Sequence, residues 1–337
     1  MRTLGRSRWR AVGSGLVGGA LVLGVSGCGQ IGSFDPVTSQ GLAVSDLFNL
    51  ELVLSLLLLL LVGGILAAVL VRFRWRAGEA EPPQVAGNRK LEVAWTILPA
   101  LLLAAMFVLA VRTMNTVNAA SPSELRVVVI GHQWWWEFQY PDLGVVTANE
   151  LHVPAGAPLQ LELQSADVIH SFWLPRFGWM KDAIPGRTNQ MFVRVDQAGD
   201  YLGACTQYCG TEHAWMRIHV VAQPRDQFDV WAQQQRQPAT AAGSAAAMHG
   251  QQVFQQNTCT NCHTIQGTPA GGRVGPDLTH LSSRATIGAG VLANTRDDLR
   301  RWVHDVQDVK PGVLMPNFRD FSDTDLNDLT EYLAGLT

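Results

Sequence analysis

Two long apolar runs dominate the first third of the chain. "LFNLELVLSLLLLLLVGGILAAVLV" fills 47–71 and "VAWTILPALLLAAMFVLAV" fills 93–111. Each approaches or exceeds the roughly 20 apolar residues that a bilayer-spanning helix needs. The pattern predicts one membrane helix over 47–71 and a second over 93–114, paired as a hairpin. Pro99 falls inside the second run, where a membrane helix tolerates it. From 120 to 223 the pattern changes to short segments such as "LRVVVIGH", "PLQLELQ" and "NQMFVRV", punctuated by Gly, Pro and Asp. Strands at this spacing predict a β-sandwich or Greek-key barrel. Residues 224–247 read as a linker, small and polar in "QPATAAGSAAA", although "RDQFDVWAQQQ" within it has the makings of a short helix. From 248 to 337 the chain reads as mostly helical, and Ser322 with Asp325 opens the last helix as N-cap and first turn.

Charge orients these pieces. Arg72, Arg74, Arg76, Arg89 and Lys90 crowd the segment 72–92 between the two apolar runs, which places that loop in the cytoplasm. Both flanking parts of the chain then face outward. The basic start "MRTLGRSRWR" and the Gly-rich apolar run after it predict a signal peptide over 1–27, leaving 28–46 as an outer N-terminal segment. "VSGC" at 25–28 resembles a bacterial lipoprotein box, which implies lipidation of Cys28; an ordinary signal or an uncleaved helix with an incidental cysteine is the alternative. The expected whole is a multidomain membrane protein. Two transmembrane helices carry a β domain, and a helical domain follows it. A formal net charge of −3 and the lack of a long basic block argue against a nucleic-acid partner.

The five cysteines are Cys28, Cys205, Cys209, Cys259 and Cys262, and four of them form two close pairs. That spacing suits metal or cofactor sites better than a disulfide framework. "CTNCH", 259–263, is a C-x-x-C-H haem attachment motif, in which Cys259 and Cys262 bond the porphyrin and His263 ligates iron. Met315 is the only methionine after it and the candidate sixth ligand; His280 and His304 compete, each with a surface or capping role as the alternative. A His/Met pair suits electron transfer. A zinc or redox C-x-x-C with an incidental histidine is the other reading of the motif. Residues 248–337 resemble a small class I cytochrome c, which implies an all-α fold and one covalent haem c.

"CTQYCGTEHAWM", 205–216, packs two cysteines, a histidine and a methionine into twelve residues. Soft thiolates with imidazole and thioether favour copper over zinc. A one-copper blue site needs only one Cys, so a second thiolate points to a binuclear site. A further imidazole is available at His170 in "SADVIHSFWLP". These segments, with "GHQWWWEF" (131–138), "DAIPGRTNQ" (182–190) and "LEVAWTILPA" (91–100), resemble cytochrome c oxidase subunit II and its cupredoxin-like CuA domain. The resemblance covers both helices and the whole β domain. With the fused cytochrome it extends to caa3-type oxidases.

That resemblance implies a two-copper CuA centre held by His170, Cys205, Cys209, His213, Met216 and the backbone carbonyl of Gln207. The family usually has Glu at the last position. Gln207 keeps the carbonyl but lacks the charge, which puts in doubt the magnesium or manganese ion that the family binds at the subunit I boundary. Trp134 matches the aromatic through which electrons reach CuA, with a plain core tryptophan as the alternative. Asp167 is a candidate brace for nearby groups, or an ordinary surface aspartate. Glu92 matches the acidic mouth of a proton pathway into subunit I, with an interface anchor as the alternative.

The implied role is the electron-accepting subunit of a bacterial aerobic oxidase in the cell membrane, with both outer domains on the periplasmic face. Electrons would run from a cytochrome c or bc1-type donor through haem c and CuA to haem a and the oxygen site of subunit I, coupled to proton pumping. Subunit III is a further expected partner. The chain offers no set of membrane histidines for the oxygen site itself. A stand-alone membrane-anchored electron carrier would bind the same metals without a many-helix partner. A copper delivery protein would not need a covalent haem. The CuA domain of nitrous oxide reductase would need a large propeller, and a quinol oxidase subunit II would lack the copper ligands.

Overall fold

The computed structural model describes residues 32–74, 78, 81, 83–240 and 242–337. Cys28 and the expected signal segment lie outside the described residues. Helix α1 spans Ser39–Arg72 and helix α2 spans Arg89–Val117. Both extend beyond the apolar runs because polar caps, not hydropathy, set their starts. Thr38 accepts from Gly41 N, and Asn88 accepts from Lys90 N and Leu91 N. Both helices are long and apolar enough to cross a membrane, and their leucines, valines and isoleucines stay exposed. A helix apolar all round needs a nonaqueous surrounding on its free faces. Pro99 lies within α2, as the sequence suggests.

The β domain is a sandwich of two five-stranded sheets. One holds β1 (Leu125–His132), β2 (Trp135–Tyr140), β3 (Val145–Ala148), β5 (Pro158–Ser165) and β8 (Asn189–Arg194), in the order β3-β2-β1-β5-β8. The other holds β4 (Glu150–Pro154), β6 (His170–Trp173), β7 (Met180–Ala183), β9 (Gly199–Cys205) and β10 (Arg217–Gln223), in the order β4-β10-β9-β6-β7. The β1–β5 and β4–β10 pairs are parallel and the other pairs antiparallel, giving a mixed cupredoxin-like sandwich. Alternation drives the burial: Trp136, Phe138 and Tyr140 of β2 all face the core with no exposure.

The sandwich is tied to the outer ends of both long helices. Val37 N donates to Arg176 O, Asp196 N donates to Val37 O, and Thr38 Oγ1 donates to Phe177 O at 2.8 Å, just where α1 begins. Gly41 and Gly178 meet there so closely that a Cβ on Gly178 would lie 2.3 Å from Gly41 Cα. At the end of α2, Lys181 Nζ donates to Asn118 Oδ1 at 3.1 Å.

The segment 224–247 is not a loose linker. Helix α3 (Arg225–Gln235) buries Phe228 and Ala232 against the sandwich, and Trp231 stacks on His152 at 4.3 Å. The three apolar residues fall at i, i+3 and i+4, one helical face. The chain then lies along the next domain: Gln237 O accepts from His280 Nε2 and Ala239 N donates to Gln266 O.

The last domain contains α4 (Ala245–Gln256), α5 (Cys259–Cys262), α6 (Arg296–His304), α7 (Val306–Val309) and α8 (Asp323–Ala334). A two-stranded hairpin joins β11 (Thr286–Ile287) to β12 (Leu292–Ala293), a small departure from the all-helical expectation. Ser322 caps α8 by accepting from Asp325 N at 3.1 Å. Helices α4 and α8 cross at Gly250, where an added Cβ would stand 1.9 Å from Asp328 O.

Candidate copper and haem sites

The copper candidates converge where β6 and β9 pair, Phe172 opposite Cys205. His170 opens β6 and Cys205 closes β9. The loop after Cys205 returns through Gln207, Cys209 and a short 3-10 turn, His213–Trp215, to Met216. Cys205 N donates to Met216 O at 3.0 Å and closes the loop at its base. The six expected ligands are brought together. Cys205 Sγ lies 3.9 Å from His170 Nδ1 and 3.2 Å from Gln207 O. Cys209 Sγ lies 3.5 Å from His213 Nδ1 and 3.9 Å from Met216 Sδ. The two sulfurs are 3.9 Å apart. The set thus falls into two halves joined by the thiols.

The local chemistry fits a soft cation. Hydrogen bonding from the Cys209 thiol outweighs burial and, with His170, pulls the Cys205 thiol down; the same coupling raises Cys209. The pair thus favours loss of one proton over two, and a bound cation would favour loss of the second. Asp167 Oδ1 contacts His170 Nε2 at 2.7 Å, which leaves Nδ1 turned toward Cys205. Asp167 also accepts from Gln133 N and Val168 N, both at 2.6 Å, so the brace is itself held.

The haem candidates line one apolar cavity in the last domain. Cys259, Cys262, His263 and Met315 all border it. Pro276 O accepts from His263 Nδ1 at 2.8 Å, so the proton sits on Nδ1 and leaves Nε2 as a lone-pair donor. Gly275 presses on the imidazole: a Cβ there would be 2.5 Å from His263 Cε1. Gln307 Nε2 bonds Val313 O and Met315 O, both at 2.9 Å, and fixes the methionine loop. The cavity fits a haem on a further observation. Arg284 is buried, donates from Nη2 to Asp277 O, and keeps an Nε without a partner among the described residues, suited to an anionic edge. His280 does not border the cavity: it is buried and bonded to Gln237 O, not at the surface. His304 does not border it either.

The two sites share a wall. Trp134 and Trp135 border the cavity, and Trp134 Nε1 donates to Cys209 O at 3.0 Å. Gln133 Nε2 donates to the same carbonyl at 2.7 Å. Trp134 is 9% exposed, closed over by the last domain. Glu92 stands far from this, in the first turn of α2 and exposed. Gln207 is exposed as well.

Sequence reasoning missed the residues that join the domains: Glu150, Lys310, Arg284 and Gln133. Gln133 lies within "GHQWWWEF" but offers no ligand, and Glu150, Lys310 and Arg284 lie outside the quoted motifs, where a charge in a loop or at a strand end gives no local signal of burial. Burial works to raise the Glu150 carboxyl, but bonds from His152 and His219 and from Ala285 N outweigh it and hold it near 2. His219 is raised above its usual 6.5, first by Glu150 and then, against burial, by Asp200. The Glu150 contribution is present above 4.5 and fades as pH falls toward about 2. The His219 contribution is present below 6.5 and fades as pH rises through its raised value. Stability should therefore plateau between these limits. Thermal melts of the full chain across pH should show the wild-type advantage over Glu150→Gln, about 3 kcal/mol at most, shrinking below pH 4.5. The advantage over His219→Asn should shrink on the alkaline side. Parallel curves at every pH would refute this account.

Comparison with known proteins agrees with the geometry. The family described as "Cytochrome C oxidase subunit II, transmembrane domain" matches residues 29–115, its "periplasmic domain" matches 144–223, and "Cytochrome c" matches 247–337. Cytochrome c oxidase subunit 2 of Alkalihalophilus pseudofirmus is 33% identical over 97% of this chain and 98% of its own. The Bacillus subtilis protein of that name is 31% identical over 93% and 94%. The solved periplasmic domain of cytochrome oxidase subunit II from Bradyrhizobium japonicum is 30% identical, covering 35% of this chain and 97% of that one, with a TM-score of 0.34. The chain belongs to the cytochrome c oxidase subunit II family and carries a C-terminal cytochrome c domain.

Proposed function

We propose that this chain takes electrons from a cytochrome c or bc1-type donor onto a covalent haem c and hands them to a binuclear CuA centre. From there they pass to haem a and the oxygen site of subunit I, in a caa3-type, proton-pumping oxidase that includes subunit III. The observation that carries the reading is the shared wall: Trp134 borders the haem cavity and bonds the carbonyl of Cys209. His170, Cys205, Cys209, His213, Met216 and the Gln207 carbonyl would hold copper. Cys259 and Cys262 would hold the haem covalently, with His263 and Met315 on its iron. These groups supply reversible one-electron chemistry. The protein fixes their surroundings, excludes water with an apolar cavity and keeps the ligands from rearranging.

The other parts of the proposal follow from position. The loop between α1 and α2 is cytoplasmic, the outer domains face the periplasm, and Glu92 takes up protons at the membrane boundary. Cys28 is lipidated. Gln207 binds copper through its carbonyl while giving no charge to a magnesium or manganese site.

Electron paramagnetic resonance on the purified oxidase tests the copper assignment. A hyperfine pattern from one electron shared by two coppers, with one covalent haem c per chain by pyridine haemochrome assay, is the expected result. A one-copper pattern would overturn the ligand set. A stable preparation lacking the other oxidase subunits would favour the stand-alone carrier.

A further inference from the structure

Two charged side chains lie deep in the seam between the sandwich and the cytochrome c domain, and neither serves as a ligand. Lys310 is 2% exposed and Glu150 is 3% exposed. They reach across in opposite directions. Lys310 follows α7, and its ammonium donates to Trp134 O at 2.8 Å, Trp215 O at 2.9 Å and Gly288 O at 2.9 Å. Two of those carbonyls belong to the sandwich: one on the tryptophan of the shared wall, the other on the residue before Met216. Glu150 opens β4, and its Oε1 accepts from Ala285 N at 2.7 Å and Thr286 N at 3.2 Å, at the edge of the cytochrome hairpin.

Burial pushes the Lys310 amine down to about 7, but three carbonyl acceptors around it favour the ammonium, whose three protons they take. Lys310 thus has none left for an anionic group in the cavity it borders, in contrast to Arg284. A docking pose shifted by one residue would leave a buried charge against unmatched backbone, which is strongly unfavourable. The two side chains therefore select one pose. Lys310 also lies five residues before Met315, in the same fixed loop.

The geometry points to Lys310 and Glu150 as a reciprocal pair of positioning residues that lock the cytochrome c domain in a single pose over Trp134. This rests on the reading that electrons cross from the haem side to copper. In that reading the pair sets the separation at which they cross, and Glu150 and Lys310 act through the backbones they hold: Lys310 borders the haem cavity but donates its protons to carbonyls, and neither side chain is a ligand.

The test uses the assembled oxidase with Lys310→Met or Glu150→Gln. Copper resonance and haem absorbance report that each site is intact. Docking is read at the Arg217 amide, which donates to Ala289 O across the seam and bonds neither altered side chain. In Lys310→Met its hydrogen exchange should quicken, and electron arrival at copper after flash reduction of the haem should slow by about tenfold to a hundredfold, as for a small misplacement of reacting groups. Reduction of the haem by a soluble cytochrome c should keep its rate. Glu150→Gln retains one acceptor oxygen and should show the same changes in weaker form; it also carries the test if Lys310→Met fails to assemble. Unchanged Arg217 exchange with transfer within twofold of wild type would overturn the inference. Absence of haem-to-copper transfer in the wild type would instead overturn the functional reading, and the exchange data would still judge the lock.

Discussion

Cys209→Ser should leave both long helices, the sandwich and the haem cavity in place while oxidation of cytochrome c falls by more than about 100-fold, beyond the loss usual for an outer-sphere change at a metal site. The reason lies in what Cys209 joins. Its sulfur is within 4 Å of His213 Nδ1, Met216 Sδ and Cys205 Sγ, so one atom links both halves of the ligand set. Serine is smaller by little and its hydroxyl stays protonated near neutral pH, so it provides no soft anion to hold the second copper. The backbone carbonyl of Cys209 is untouched, so the Trp134 and Gln133 bonds survive. The variant should therefore melt close to wild type, keep its haem spectrum, and lose the two-copper resonance together with oxygen uptake. Retained turnover with an unaltered resonance would mean that Cys209 is not a ligand.

Gly250→Ala should destabilise the cytochrome c domain by about 3 kcal/mol or more, at the upper end for forced overpacking. Most Gly-to-Ala changes inside a helix help, because alanine loses less backbone entropy. Here the sign reverses. The added Cβ would sit 1.9 Å from Asp328 O and 2.9 Å from Leu329 N, which are backbone atoms of α8 that cannot rotate away. Helices α4 and α8 must separate, and Val253, Phe254, Leu326 and Leu329, all in one core, lose their packing with them. The expected readings are a fall in the thermal midpoint of the haem absorbance and a lower yield of covalently attached haem. The copper resonance should persist, since the sandwich has its own core. A midpoint equal to wild type would show that the crossing can widen without loss.

Much of this architecture was legible in the chain. The apolar runs announced α1 and α2, because lipid exposure demands length and hydropathy together. The strand segments announced a sandwich, because one buried face per strand forces alternation. The ligand motifs lie in short contiguous stretches, 205–216 and 259–263, and need only His170 and Met315 from elsewhere. What stayed hidden was the seam. Lys310 touches residues 176 and 95 positions away in sequence, and Glu150 touches residues 135 and 136 positions away. No local spacing encodes such pairs, and a charged residue in a polar loop reads as solvated until tertiary structure buries it. In 224–247 the short helix was legible in "RDQFDVWAQQQ", but the small polar composition after it suggests freedom, and nothing local shows that Phe228, Trp231 and Ala232 dock on the sandwich.

The bonds that join Val37 and Thr38 to the sandwich, together with the Lys181–Asn118 contact, give it two footings on the helix hairpin. Two attachments resist swivelling better than one, and the close backbone approach at Gly41 and Gly178 leaves no room there for a side chain. The thiol pair is thus carried on the helix hairpin by backbone as well as side-chain bonds, so a change of tilt in the helices would be passed on to it.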